Sequence, residues 1–228
     1  MKIAIIDSGI NANDPHVRSI AGGIGVTPDG LEEDFRDRLG HGTTVAAIIR
    51  EKVPLADLFA VKVCDRRLFA GIGVLKSAMD WCRYHQMDLV NLTAELEDQE
   101  ACADLGTAIE GLLVVSAVNQ FRGCLPGVIS VDSDEACPRD EFHYRKGIFY
   151  ASPYPRPVIG GGVQSRTTRG IGYAVANMTG FVARTLPSIR ASRVLSGGSW
   201  HASIAALRDT LVWELASIGT SGSAAVPD

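Results

Sequence analysis

The sequence predicts a three-layer α/β fold, with a mostly parallel central sheet and helices on both of its faces. Three observations lead there. Short apolar runs that read as strands recur along the 228 residues, and segments of helical spacing lie between them. Runs such as those at 3–6 and 112–117 are near-continuous, as expected of parallel strands covered on both faces. The 24 glycines and only 7% aromatic residues suit tight turns and closely packed layers.

The elements follow in order. Residues 3–6 form an apolar strand that closes on Asp7 and an Asp-Ser-Gly turn. Residues 43–50 are a helix candidate, ended by Pro54. Residues 58–63 alternate as a strand, and 72–84 have helical spacing. Two more short strands, 89–92 and 112–117, flank a polar helix at 101–109. Such βαβ units cross over right-handedly. Residues 132–157, rich in Asp, Arg, Tyr and Pro, interrupt the rhythm and read as irregular chain or an antiparallel hairpin near the sheet edge. After Val158, Ile159 and the glycines 160–162 comes a long helix from Tyr173 to about Leu186. A last helix sets Ile204, Leu207, Leu211, Leu215 and Ile218 on one stripe, with Arg208, Asp209 and Glu214 off it. With no internal repeat and no dividing linker, residues 1–220 read as one domain and 221–228 as a small, polar, frayed tail.

Composition narrows the function. A content of 46% hydrophobic and 21% charged residues suits one sizeable core. The formal charge of −4 and the lack of a long basic run argue against nucleic acid as a partner. Lys2 is followed by only four apolar residues before Asp7, too few for a signal-peptide core. No apolar run approaches the length of about eighteen residues that a membrane span needs. The five cysteines, Cys64, Cys82, Cys102, Cys124 and Cys137, are odd in number and share no CxxC spacing. They point to a reduced, cytoplasmic protein that uses them as small buried hydrophobes.

Two motifs carry chemistry. Asp7, in IIDSGI, ends a strand where a carboxylate can hold an imidazole, and His41, in DRLGHGTTVA, stands between glycines just before a helix. Alone, each also reads as a turn aspartate and a structural histidine. A nucleotide site on the glycine-rich turns is disfavoured, because Gly160–162 and Gly170-x-Gly172 form no GxGxxG between a strand and a helix.

Taken together, the segments IIDSGI (5–10), DRLGHGTTVA (37–46), DLFAVKV (57–63), MDLVNL (87–92), LLVVSAVNQ (112–120) and LPGVISVDS (125–133) resemble the subtilisin-like serine proteases over roughly residues 2–190. The resemblance implies Asp7 as the orienting carboxylate, His41 as the general base and Asn119 as the side-chain donor to the oxyanion. The family's Gly-Thr-Ser-x-Ala aligns with Gly170-Ile171-Gly172-Tyr173-Ala174, which puts Gly172 on the nucleophile. Ser165, Thr167 and Thr168 lie on the approach to that helix and are poor substitutes. The family's Ser-Leu-Gly channel wall reads here as Thr93-Ala94-Glu95, so Leu92, Thr93, Ala94 and Glu95 are the expected substrate-binding segment. The implied partner is a peptide or protein substrate in an extended conformation. The stretch that resembles a calcium loop in secreted relatives is missing, and residues 51–56 offer one carboxylate, Glu51, so no metal and no cofactor is expected. Two readings follow. One is an endopeptidase of the peptide-precursor-processing type, present here in a serine-less inactive form. The other is a pseudoprotease that binds a peptide without cleaving it.

Overall fold

A computed structural model describes residues 1–96, 102–118, 128–155, 169–195 and 204–221. The strands are β1 (Lys2–Asp7), β2 (Gly22–Thr27), β3 (Gly30–Glu32), β4 (Asp57–Lys62), β5 (Phe69–Ala70), β6 (Leu89–Leu92), β7 (Glu95–Leu96), β8 (Val114–Ala117), β9 (Val128–Ser133), β10 (Phe142–Arg145) and β11 (Ile148–Ala151). The helices are α1 (His41–Lys52), α2 (Ile72–Tyr84), α3 (Cys102–Ala108), α4 (Ile171–Leu195) and α5 (Ile204–Ser221). Nine strands form one sheet in the order β10-β11-β9-β8-β6-β1-β4-β2-β3, while β5 and β7 pair apart from it. The pairs are parallel except β10 with β11 and β2 with β3, the two sheet edges.

Alternation along β1 divides the interior in two. Ile3 and Ile5 pack with Val45, Ile49 and Val182 of α1 and α4. Ala4 and Ile6 face Leu75 and Met79 of α2 and Leu105 of α3. Both faces of this strand are buried, which is why its sequence is apolar without a break. The three layers expected from the sequence are therefore present.

Several details differ from the sequence reading. β2 and β3 were not expected, because GGIGVT and GLE contain no apolar run. Two β2 glycines have a packing cause: a Cβ at Gly23 would lie 2.7 Å from the Phe35 ring and 2.9 Å from Ala60, and one at Gly25 would lie 2.6 Å from the Asp34 carbonyl oxygen. The stretch 132–157 contains an antiparallel hairpin at the sheet edge, β10–β11, turning through Lys146 and Gly147 at φ 50° and 86°. Helix α4 continues through Pro187 to Leu195, beyond the expected end near Leu186. Burial explains the extension, since Ile189 is still packed in the core and Arg190 pairs with Asp88. In α5, Leu211 and Leu215 are buried but Ile218 is 55% exposed, so the apolar stripe outlasts the surface it packs on. The side chain of Leu207, residues 158–162 and the tail from 222 onward lie outside the described residues.

Arg50 locks the region behind the first helix. It is buried, and its guanidinium donates to the carbonyls of Val17, Ser19, Pro54 and Ala56 at 2.7–3.1 Å. Those four acceptors belong to the chain after β1 and to the connection from α1 to β4. One side chain thus fixes two irregular segments.

Candidate active site

The carboxyl end of β1 and the amino ends of α1 and α4 converge beside the last residues of β6. Asp7 is the final residue of β1 and is fully buried. His41 opens α1 immediately after Gly40, which takes a left-handed φ of 82°. Asp37 builds the approach: its Oδ1 accepts from the amides of Leu39 and Gly40 at 2.9 and 2.8 Å, and its Oδ2 from the amide and hydroxyl of Thr43 at 2.8 and 2.6 Å. That carboxylate does the work of an N-cap residue at a distance. Gly42 is required sterically, since a Cβ there would stand 2.2 Å from the Gly9 carbonyl oxygen. Its amide instead donates to Ser8 Oγ at 3.1 Å, joining α1 to the turn after β1.

His41 Nδ1 donates to Asp7 Oδ2 at 2.8 Å and lies 3.0 Å from Oδ1. Asp7 also accepts from the Ser8 amide at 2.6 Å and, in a short contact, from the Thr93 hydroxyl. Burial raises the Asp7 pKa, but the charge and hydrogen bond of His41, with the Thr93 and Ser8 donors, outweigh it and leave the carboxyl below its ordinary value. For His41, burial lowers the pKa, and the Asp7 hydrogen bond and charge more than reverse this, so the imidazole is more basic than usual. The Tyr173 ring stacks on the imidazole, with centroids 5.1 Å apart at 26°.

The other ring nitrogen faces α4. A Cβ built on Gly172 would lie 2.8 Å from both Nε2 and Cε1 of His41, and 3.6 Å from the Thr93 methyl. The base and the Gly172 position are therefore immediate neighbours, and as arranged the ring leaves too little room for a side chain at 172. Helix α4 is held to the sheet by a buried relay: Asn91 Nδ2 donates to Thr179 Oγ1 at 2.8 Å, which donates to the Val175 carbonyl at 2.8 Å.

Of the residues singled out in the sequence, Asp7, His41 and Gly172 come together. Asn119, Ser165, Thr167 and Thr168 lie outside the described residues. Leu92, Thr93 and Ala94 turn their side chains into the interior, at 0%, 2% and 0% exposure, while Glu95 is half-buried. Thr93 thus meets the site through Asp7. Four contributors escaped sequence reasoning: the Thr93 hydroxyl, Ser8, Asp37 and Tyr173. For Thr93 a signal was available, because Ile6 and Leu92 are register partners and the next residue on each strand must be adjacent.

The acid–base pair has a testable signature. A raised histidine pKa contributes stability that is fully present below the unfolded value of 6.5 and is lost as pH rises through the folded value. The depressed Asp7 contributes above its unfolded value of 3.8, and that part is lost as pH falls through its folded value. The stability difference between the parent and His41→Ala is accordingly expected to be larger near about pH 6 than near about pH 9 in thermal melts. A difference that grows with pH would mean that the folded protein holds a neutral, less basic ring.

No protein-family model matches the chain. The minor extracellular protease Epr of Bacillus subtilis (strain 168) is 33% identical over 129 residues, covering 53% of this chain and 18% of that protein. Subtilisin NAT of Bacillus subtilis subsp. natto is 25% identical over 215 residues, covering 89% of this chain and 50% of that protein. The chain thus spans half or less of the length of these two relatives. Among solved structures, the prenylagaramide maturation protease PagA superposes with a TM-score of 0.55 over 85% of this chain and 77% of that one, at 18% identity. Among the described residues no helix is long and apolar enough to cross a membrane. The likeness in fold, the sequence relatives and the aspartate–histidine pair at the mouth of a parallel sheet agree: the chain is similar in sequence to the subtilisins and shares the subtilisin-like fold.

Proposed function

We propose that this chain is a peptide-binding subtilisin-like site of the precursor-processing kind, which as written holds an extended peptide without cutting it. One observation carries the reading: His41 is anchored by Asp7 and turns Nε2 onto the Cβ direction of Gly172. In this reading Asp7 orients the ring, His41 is the base, Gly172 stands at the nucleophile position and Asn119 is the oxyanion donor. With serine at 172, the hydroxyl oxygen would attack the scissile carbonyl carbon while Nε2 takes its proton. The imidazolium would then return that proton to the leaving amine. With glycine there is no atom to form the acyl bond, and base, acid and fold remain. PagA, a maturation protease by name, supports a peptide precursor as the ligand class. The buried free thiols of Cys64, Cys82 and Cys137 support a reducing, cytoplasmic setting.

The test is direct binding of the parent protein to a randomised peptide library. Main-chain hydrogen bonds at the edge around Glu95 supply the affinity in this mode, and the Glu95 carboxylate biases the neighbouring subsite. Enrichment of basic or polar peptides is expected. No enrichment above background overturns the peptide reading, and enrichment of acidic peptides removes Glu95 from the groove.

A further inference from the structure

The segment expected to receive a peptide strand has no main-chain donor left to offer. The amides of Thr93 and Ala94 both point to the Ile6 carbonyl at 3.3 Å, and the amide of Glu95 donates to the Leu68 carbonyl at 2.6 Å. Phe69 pairs with Glu95 and Ala70 with Leu96 in a parallel ladder. Just upstream, β6 is an interior strand with β1 on one side and β8 on the other. A peptide can therefore take a main-chain donor from this segment at Glu95, and only by displacing β5 from it.

We propose that β5 is an intramolecular occupant of the peptide-binding edge, and that its pairing with β7 is an autoinhibitory latch that opens to admit the ligand. This rests on the peptide-binding reading above and adds how access to that site is controlled. The latch is built to open. Among the described residues, two from each strand make a sheet that stands apart from the nine-stranded one, and an isolated two-stranded pair is marginal in water. Phe69 leaves 47% of its surface exposed, so its side chain adds little apolar burial to the closed form. Gly71, the next residue, caps α2 at φ −68°, ψ 155°, and a Cβ there would meet nothing within 4 Å, so the chain beside β5 is uncrowded. Opening breaks the Glu95–Leu68 hydrogen bond and its ladder neighbours. An incoming extended peptide remakes bonds of the same kind on β7. Apparent affinity is then reduced by the fraction of molecules that are open.

The experiment locks the latch. Register partners on adjacent strands stand about 5 Å apart, within disulfide reach, so the double variant Phe69→Cys, Glu95→Cys is prepared oxidised and reduced, with the parent carried through both treatments. Binding of the library-selected peptide is expected to fall at least ~10-fold in the oxidised variant, to return on reduction, and to be indifferent to treatment in the parent. Equal binding by the oxidised and reduced variant overturns the latch while leaving the peptide reading intact. A peptide bound by neither form nor by the parent removes the peptide reading and the latch with it. Hydrogen exchange of the Glu95 amide in the free parent reports on the pairing without any ligand. Slowed exchange is expected, and exchange at the open-chain rate overturns the latch alone.

Discussion

Gly172→Ser is expected to raise the hydrolysis of an activated peptide ester by at least ~10³-fold over the parent, because the members of such a triad act as a unit. Within this family, removal of the serine costs on the order of 10⁶ in kcat, while the residual catalysis over water without the triad is about 10³–10⁴-fold. The structure supplies the reason for a gain and also its limit. The base is present and oriented, with Nδ1 on Asp7 and Nε2 on the vacant side-chain direction. A serine Cβ at 2.8 Å from the ring cannot be accommodated without movement, so the imidazole must swing away by several tenths of an ångström. That motion works against the Tyr173 stack and the Asp7 hydrogen bond, which keeps the expected gain below the full family value. Stopped-flow or steady-state ester assays on both proteins measure it. A folded serine variant no faster than the parent would mean that the ring cannot be displaced and the site is committed to holding rather than cutting.

The largest stability effect is expected at Arg50. Arg50→Met keeps an apolar stem in the same space but strands the Ser19, Pro54 and Ala56 carbonyls, while Val17 keeps the Ser19 amide as a donor. Each buried acceptor left without a donor costs about 1–3 kcal/mol, and partial rescue by local rearrangement brings the expected total to about 3–5 kcal/mol. For a chain of this size that is a fall in melting temperature of roughly 6–20 °C. Arg50→Lys, with a charge but no planar fork, is expected to fall between the two. A methionine variant within about 1 kcal/mol of the parent would show that water replaces the guanidinium at those carbonyls.

Periodicity made the main layers legible because β1, β4, β6 and β8 are largely buried on both faces and therefore mostly apolar. The helix 72–84 was found to the residue, since α2 buries one clean stripe of Val74, Leu75, Ala78, Met79 and Cys82. What periodicity could not see was structure set by contact with distant chain. β2 is glycine-rich because Phe35 and Ala60 press on it, and α4 passes Pro187 because its far side is still buried. At the site, Asp7 and His41 were readable from local motifs, and Gly172 only from the resemblance of residues 170–174 to the family's Gly-Thr-Ser-x-Ala. Thr93 was read as a channel wall, yet its side chain is buried and its hydroxyl serves Asp7, since strand direction alone does not say which way a residue past the strand end will turn. The occupancy of the 93–95 edge by β5 was equally hidden. It depends on a pairing between segments that carry only two residues each.

The central claim is that Gly172 stands at the nucleophile position of an otherwise assembled acid–base pair. It is tested most directly by a fluorophosphonate probe followed by mass spectrometric mapping of the adduct. The parent is expected to take up no probe, Gly172→Ser to be labelled at residue 172, and the double variant with His41→Ala to lose that label, because the hydroxyl is a weak nucleophile without its base. A label on the parent, or on the serine variant at any residue other than 172, would contradict the assignment.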